Sequence, residues 1–141
     1  MSIQRIFFLG LFGLVFSANA DAAKWVKLNG DREMTTYIDA ESKRPAGDLI
    51  RLTYLNDFRR PYEAYRGYRI KSYAWDMEFD CRKRKMRNLQ VAGFSGNMGK
   101  GNVRHNKDAH RDFNTKWNPV DSDADDSNLP LFKYACGAGK R

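Results

Sequence analysis

The sequence predicts an α+β domain: about six antiparallel strands in one sheet, with a short C-terminal helix tethered to it by a disulfide. Three observations carry this. Residues 72–81 alternate, with Tyr73, Trp75, Met77, Phe79 and Cys81 at odd positions and Ser72, Ala74, Asp76, Glu78 and Asp80 at even ones. A period of two sets one face of a strand on a core and the other in water. Pro130 to Cys136 is the one good helix segment. The chain has two cysteines, Cys81 and Cys136, behind an export signal, and such a pair is read as one bond formed outside the cytosol.

The signal is residues 1–22. Arg5 supplies the charge, Ile6 to Phe16 the apolar run, and Ser17-Ala-Asn-Ala20-Asp-Ala22 a small-residue cleavage region. Cleavage is expected after Ala20 or Ala22. The apolar run falls short of the ~20 residues that span a bilayer. No cysteine stands at the expected cleavage site, so the product is expected in the periplasm or outside the cell, not lipid-anchored. Removing the first 22 of 141 residues leaves 119, which suits a single domain over 23–141. The formal charge of +8 favours anionic partners, whether acidic polysaccharide, lipid headgroups, nucleic acid or acidic protein.

Trp25 to Leu28 is the first strand, closed by the turn Asn29-Gly30-Asp31. Met34 to Asp39 is rich in β-branched and aromatic residues and forms the second. Lys43 to Asp48 reads as a turn, Leu49 to Leu55 as the third strand, and Asn56 to Pro61 as its break. The alternating strand over Ser72 to Cys81 follows. Leu89 and Val91 mark another, ending in Gly93, Gly96, Gly99 and Gly101. Val103 to Lys107 is a further short strand, and His110 to Asn114 a loop. Trp117-Asn-Pro-Val120 is extended, because the residue before proline avoids the helical region. In the helix, Pro130 suits the first turn, upstream Asp side chains suit the dipole, and Gly137 suits the end. Phe132 and Cys136 lie four apart and share a face. So short a helix is marginal alone, and Cys136 is placed to hold it.

Several motifs bear on chemistry. Arg82-Lys-Arg-Lys-Met-Arg87 puts five cations in six residues, so Arg82, Lys83, Arg84, Lys85 and Arg87 are the candidate ligand-binding residues. On a strand these charges divide between two faces unless a turn splays them. The plainer reading is a solvated segment that discourages edge pairing. Gly93 to Gly101 superficially suggests a phosphate loop, but Phe94 stands where glycine is needed and Gly101 where Ser or Thr is needed. A flexible hairpin connection fits better.

Asp121-x-Asp123-x-Asp125 begins like a calcium loop, but Asp126 and Phe132 occupy the glycine and glutamate positions. His105 and His110 are the only histidines. With both cysteines bonded they are too few for a closed zinc site, and their spacing gives no reason to expect an acid–base pair. No catalytic residue, metal ligand or cofactor is assigned. Tyr54, Tyr62, Tyr65, Tyr68 and Tyr73 with Arg59, Arg60, Arg66 and Arg69 form an aromatic-basic segment suited either to an interface or to a half-buried sheet.

Taken in order, these landmarks resemble the surface-adhesin protein E family of Gram-negative bacteria. The matching residues are Trp25, Thr36-Tyr-Ile-Asp39, Gly47, Asp57-Phe58, Lys71-Ser72 and Glu78-Phe-Asp-Cys81. Then come Phe94-Ser95, Asn97-Met-Gly-Lys-Gly101, Trp117-Asn-Pro-Val120 and Ala135-Cys136. The resemblance spans roughly Trp25 to Cys136. It implies a six-stranded antiparallel sheet with the helix tethered by the disulfide. It also implies a surface protein that binds host matrix or serum proteins, often as a dimer. This chain lacks the adhesin's lipid-anchor cysteine, and Asp121-Ser-Asp-Ala124 replaces the family's Pro-Gly-Ser stretch.

Two function classes remain. One is a non-catalytic exported binding module that meets an acidic protein or polysaccharide surface, including host matrix protein, with a homodimer possible. The alternative is a small exported hydrolase acting on phosphodiesters or glycans. The residues favour the first: paired carboxylates are not evident, and no base-reading motif supports specific nucleic-acid binding.

Overall fold

The computed structural model describes residues 23–63, 67–104, 116–121 and 128–137. The expected signal 1–22, Tyr65, Arg66, both histidines and most of the acidic stretch lie outside the described residues.

Among the described residues, eight strands form one antiparallel sheet. They are β1 (Trp25–Gly30), β2 (Met34–Asp39), β3 (Arg44–Ala46), β4 (Leu49–Glu63), β5 (Arg69–Asp80), β6 (Lys85–Phe94), β7 (Val103–Arg104) and β8 (Asn118–Pro119). The main path runs β1-β2-β4-β5-β6-β7, with β3 added on β4 and β8 on β6. Helix α1 covers Leu129–Cys136, one residue earlier than the sequence suggests.

Three turn assignments change. Asn29 and Gly30 extend β1, where they pair with Thr36 and Thr35. The segment 43–48 contains β3, because Ala46 pairs Leu49 and leaves Gly47-Asp48 as a two-residue loop. Gly47 takes φ 64° there, the left-handed geometry such hairpin loops require. The expected break at 56–61 is a bulge within β4. Pairing passes from Asp57↔Ser72 to Tyr62↔Ile70, so β4 carries extra residues against β5. Pro61 lies inside that irregular stretch, where its missing N–H costs no ladder bond.

The core lies between α1 and one face of the sheet. Ile38, Leu52, Tyr54, Met77, Phe79, Met86 and Val120 bury against Leu129, Leu131, Phe132 and Ala135. The Phe79 and Phe132 rings meet at 6.3 Å. Each such apolar side chain contributes roughly 1.5–3 kcal/mol when fully buried. The Cys81–Cys136 disulfide closes this arrangement, with Cα atoms 5.5 Å apart. The described helix has no acidic residue in its first turn. At its other end Lys43 Nζ donates to the Tyr134 carbonyl at 2.9 Å and sits 5.3 Å over that ring, a favourable place for a cation.

Alternation in β5 holds on the helix face but does not leave the second face in water. Ser72 is fully buried and Glu78 is 2% exposed. Ser72 is covered by the 3-10 turn Asn97–Gly99: its Oγ donates to the Gly96 carbonyl at 2.7 Å and accepts from the Gly99 N–H at 3.0 Å. The glycine segment does connect a hairpin, β6 to β7, but it is pinned rather than flexible. Asp57 Oδ1 accepts from the Met98 N–H at 2.7 Å and from Asn97 Nδ2 at 3.1 Å. Gly101 has φ 83°, and a Cβ there would stand 2.5 Å from Ser95 Oγ. Glycine is needed at that close approach.

Candidate functional site

The basic run opens in the turn between β5 and β6. Asp80 Oδ1 accepts the Lys83 N–H at 2.9 Å, and the Arg84 carbonyl accepts from the Val120 N–H at 2.9 Å. Arg84 adopts φ 49°, an unusual conformation for a residue with a Cβ. Cys81 anchors the turn's first position to α1. A turn splays side chains that a strand would have alternated between faces.

The five candidates therefore separate. Arg82 pairs with Asp48 at 2.7 Å, and both side chains are largely exposed, so this pair contributes little to stability. Lys83 and Lys85 are exposed. Arg84 is exposed as well, but its guanidinium lies 5.2 Å over the Phe132 ring, so it also packs against the core. Arg87 is also engaged. Its Nε and Nη2 donate to Glu78 Oε2 at 2.8 and 2.6 Å, and its guanidinium stacks 4.6 Å over Trp117.

Arg44 and Arg51 carry no signal in the sequence, and strand register brings them here. Arg44 lies opposite Arg51, Arg51 opposite Glu78, and Glu78 opposite Arg87. Arg51 donates from Nε and Nη2 to Glu78 Oε1 at 2.9 and 2.8 Å. Burial pushes the Glu78 carboxyl up, but the hydrogen bonds and charges of Arg87 and Arg51 outweigh it and hold it below the usual glutamate range. One carboxylate thus shares a single cross-strand row with three arginines, two of which bond to it, leaving the row positive.

The aromatic segment forms a line of rings on the helix side. Tyr54–Trp75, Trp75–Tyr73, Tyr73–Phe58 and Phe58–Tyr62 follow one another at 5.5–6.2 Å. Tyr54 belongs to the core, and burial raises its hydroxyl above the ordinary range. Burial, then Tyr62, raises Tyr73. Tyr62 is 53% exposed. An apolar recess of ≈ 470 Å³ lies on the other face, lined by Trp25, Leu55, Ala74, Phe94 and Met98. Among the described residues no group of three His, Cys, Asp or Glu is placed to hold a metal ion, and no helix is long and apolar enough to cross a membrane.

The profile of the family described as surface-adhesin protein E matches residues 25–137. No curated protein sequence matches the chain. Among solved structures, crystal form II of Haemophilus influenzae protein E is similar at a TM-score of 0.59 and 13% identity. That match covers 79% of this chain and 86% of the other. A second Haemophilus influenzae protein E structure gives 0.56 at 13% identity, covering 79% and 83%. At such identity the structural likeness speaks for the fold alone, and the profile match supplies the family. The chain belongs to the surface-adhesin protein E family.

Proposed function

We propose that this domain is a non-catalytic, exported, adhesin-like binding module that meets an acidic protein or polysaccharide surface, host matrix among them, through the basic end of its sheet. The observation that carries this reading is the exposure of Arg82 and Lys83 on the fixed turn and of Lys85 at the start of β6. Arg44 and Arg51 lie beside it in register. Several exposed cations on a rigid frame attract polyanions by charge, and that attraction is screened by salt. Arg84 and Arg87 serve the frame, so they are left out of the contact set.

Heparin, a sulfated polyanion, is the probe. Changing Arg82, Lys83 and Lys85 together to serine should abolish retention on a heparin column at low salt. The same change should leave stability within about 0.5–1 kcal/mol, as exposed substitutions usually do. Full retention by the stable variant would refute the assignment and leave the turn as a solvated segment.

A further inference from the structure

The face of the sheet away from α1 holds a recess of ≈ 270 Å³ lined by Arg44, Arg51, Thr53, Asp76, Leu89 and Gln90. Its construction depends on a second bulge. Asp76 pairs with Gln90 but Met77 pairs with Asn88, so Leu89 is the extra residue on β6. Simple alternation from Arg87 would send Gln90 to the helix face. The bulge returns it to the row of Thr53 and Asp76, next to the row of Arg44, Arg51, Glu78 and Arg87.

Charges in this recess are sorted by kind. On one side, Arg51 commits Nε and Nη2 to Glu78 and keeps Nη1. Arg44 is exposed, and its only partner among the described residues is the Ser42 carbonyl at 3.3 Å. On the other side, Asp76 Oδ1 accepts from Thr53 Oγ1 at 2.6 Å. That leaves Oδ2, both lone pairs of Thr53 Oγ1 and the exposed Gln90 amide. Leu89 adds an apolar wall.

We propose that the recess is a subsite for a single sugar-acid unit of the hexuronate type. The carboxylate meets Arg44 and Arg51 Nη1, the ring hydroxyls meet Asp76, Thr53 and Gln90, and the C–H face of the ring meets Leu89. Paired guanidinium N–H groups suit a carboxylate, and Asp and Gln supply the acceptors and donors that hydroxyls need. A bare anion gains from the arginines but is repelled by Asp76. A neutral sugar leaves Arg44 without a counter-charge. The volume lies just below the ~300 Å³ of the smallest drug-sized pockets, so one ring fits and a folded oligomer does not. This inference rests on the acidic-polymer reading above and adds the monomer that the surface selects.

The test is titration of the nitrogen-15-labelled mature chain with D-glucuronate, D-glucose, acetate and glycine, read by amide shifts. D-glucuronate should move Thr53, Asp76 and Gln90 saturably, with each other probe at least about tenfold weaker, the size of one charged hydrogen bond. Arg44→Ala, at an exposed position, should lose that response without loss of melting temperature. Asp76→Asn should weaken D-glucuronate about tenfold and strengthen acetate. If acetate or glycine matches D-glucuronate, or if only amides 82–85 move, the subsite is overturned while heparin retention still stands. If heparin retention fails as well, the underlying polyanion reading falls with it.

Discussion

Reducing the Cys81–Cys136 bond, or changing both cysteines to serine, should lower stability by about 4 kcal/mol, the chain-entropy value for the 55-residue separation. For a domain of this size that is on the order of 15 °C in melting temperature. The effect should not spread evenly. α1 has eight residues, too few to persist in water without support. Release of Cys136 should therefore expose Leu131, Phe132 and Ala135 together, while β4, β5 and β6 keep their pairing. Amide exchange checks this directly: protection should vanish first over 129–136 and last in the central strands. Two reactive thiols in the unfolded, unreduced chain would contradict the bond.

The second large effect should come from Glu78. Its side chain is 3% exposed and bonded on both oxygens, while Arg51 and Arg87 remain 42% and 34% exposed. Removing one partner of a buried pair costs ~3–5 kcal/mol. Because both arginines keep access to water, Glu78→Gln should cost less, about 2–3 kcal/mol. The pH dependence has a definite sign. The folded value lies below the ordinary glutamate value of 4.5, so the ionised group contributes fully above 4.5. That contribution is lost as pH falls through the lower folded value. The difference in melting temperature between the native chain and Glu78→Gln should thus be largest near neutrality and shrink below 4.5. A constant difference across that range would show that the charge of Glu78 does not stabilise the fold.

Much of the architecture is legible from local pattern. Alternation over 72–81 marks β5, Gly47-Asp48 marks the β3–β4 hairpin, and the chain's two cysteines give the tether. What local pattern does not carry is register. Pro61 looks like a stop because a proline in a strand removes a ladder bond, yet the bulge leaves no bond there to remove. Glu78 looks solvent-facing from its parity, and only cross-strand pairing shows that two arginines enclose it.

The candidate site divides along the same line. A run of cations is visible as such, but which of them are engaged by aromatic rings depends on a turn at 81–84 and on contacts with Phe132 and Trp117. Arg44 and Arg51 stand apart from the run in sequence and join it only through β3 and β4. The aromatic segment was legible in composition. Its continuity follows from the bulge that brings Tyr62 back to Phe58.

The central claim is that Arg82, Lys83 and Lys85 form a charge-reading surface on a frame held by Arg84, Arg87 and the disulfide. Calorimetric titration of heparin into the native chain and into the triple serine variant, between about 0.05 M and 0.15 M NaCl, tests it most directly. The account predicts that native affinity falls steeply with salt, and that the variant binds at least about tenfold more weakly at the lowest salt with an unchanged fold. Equal affinity in the two proteins, or native binding indifferent to salt, would contradict it.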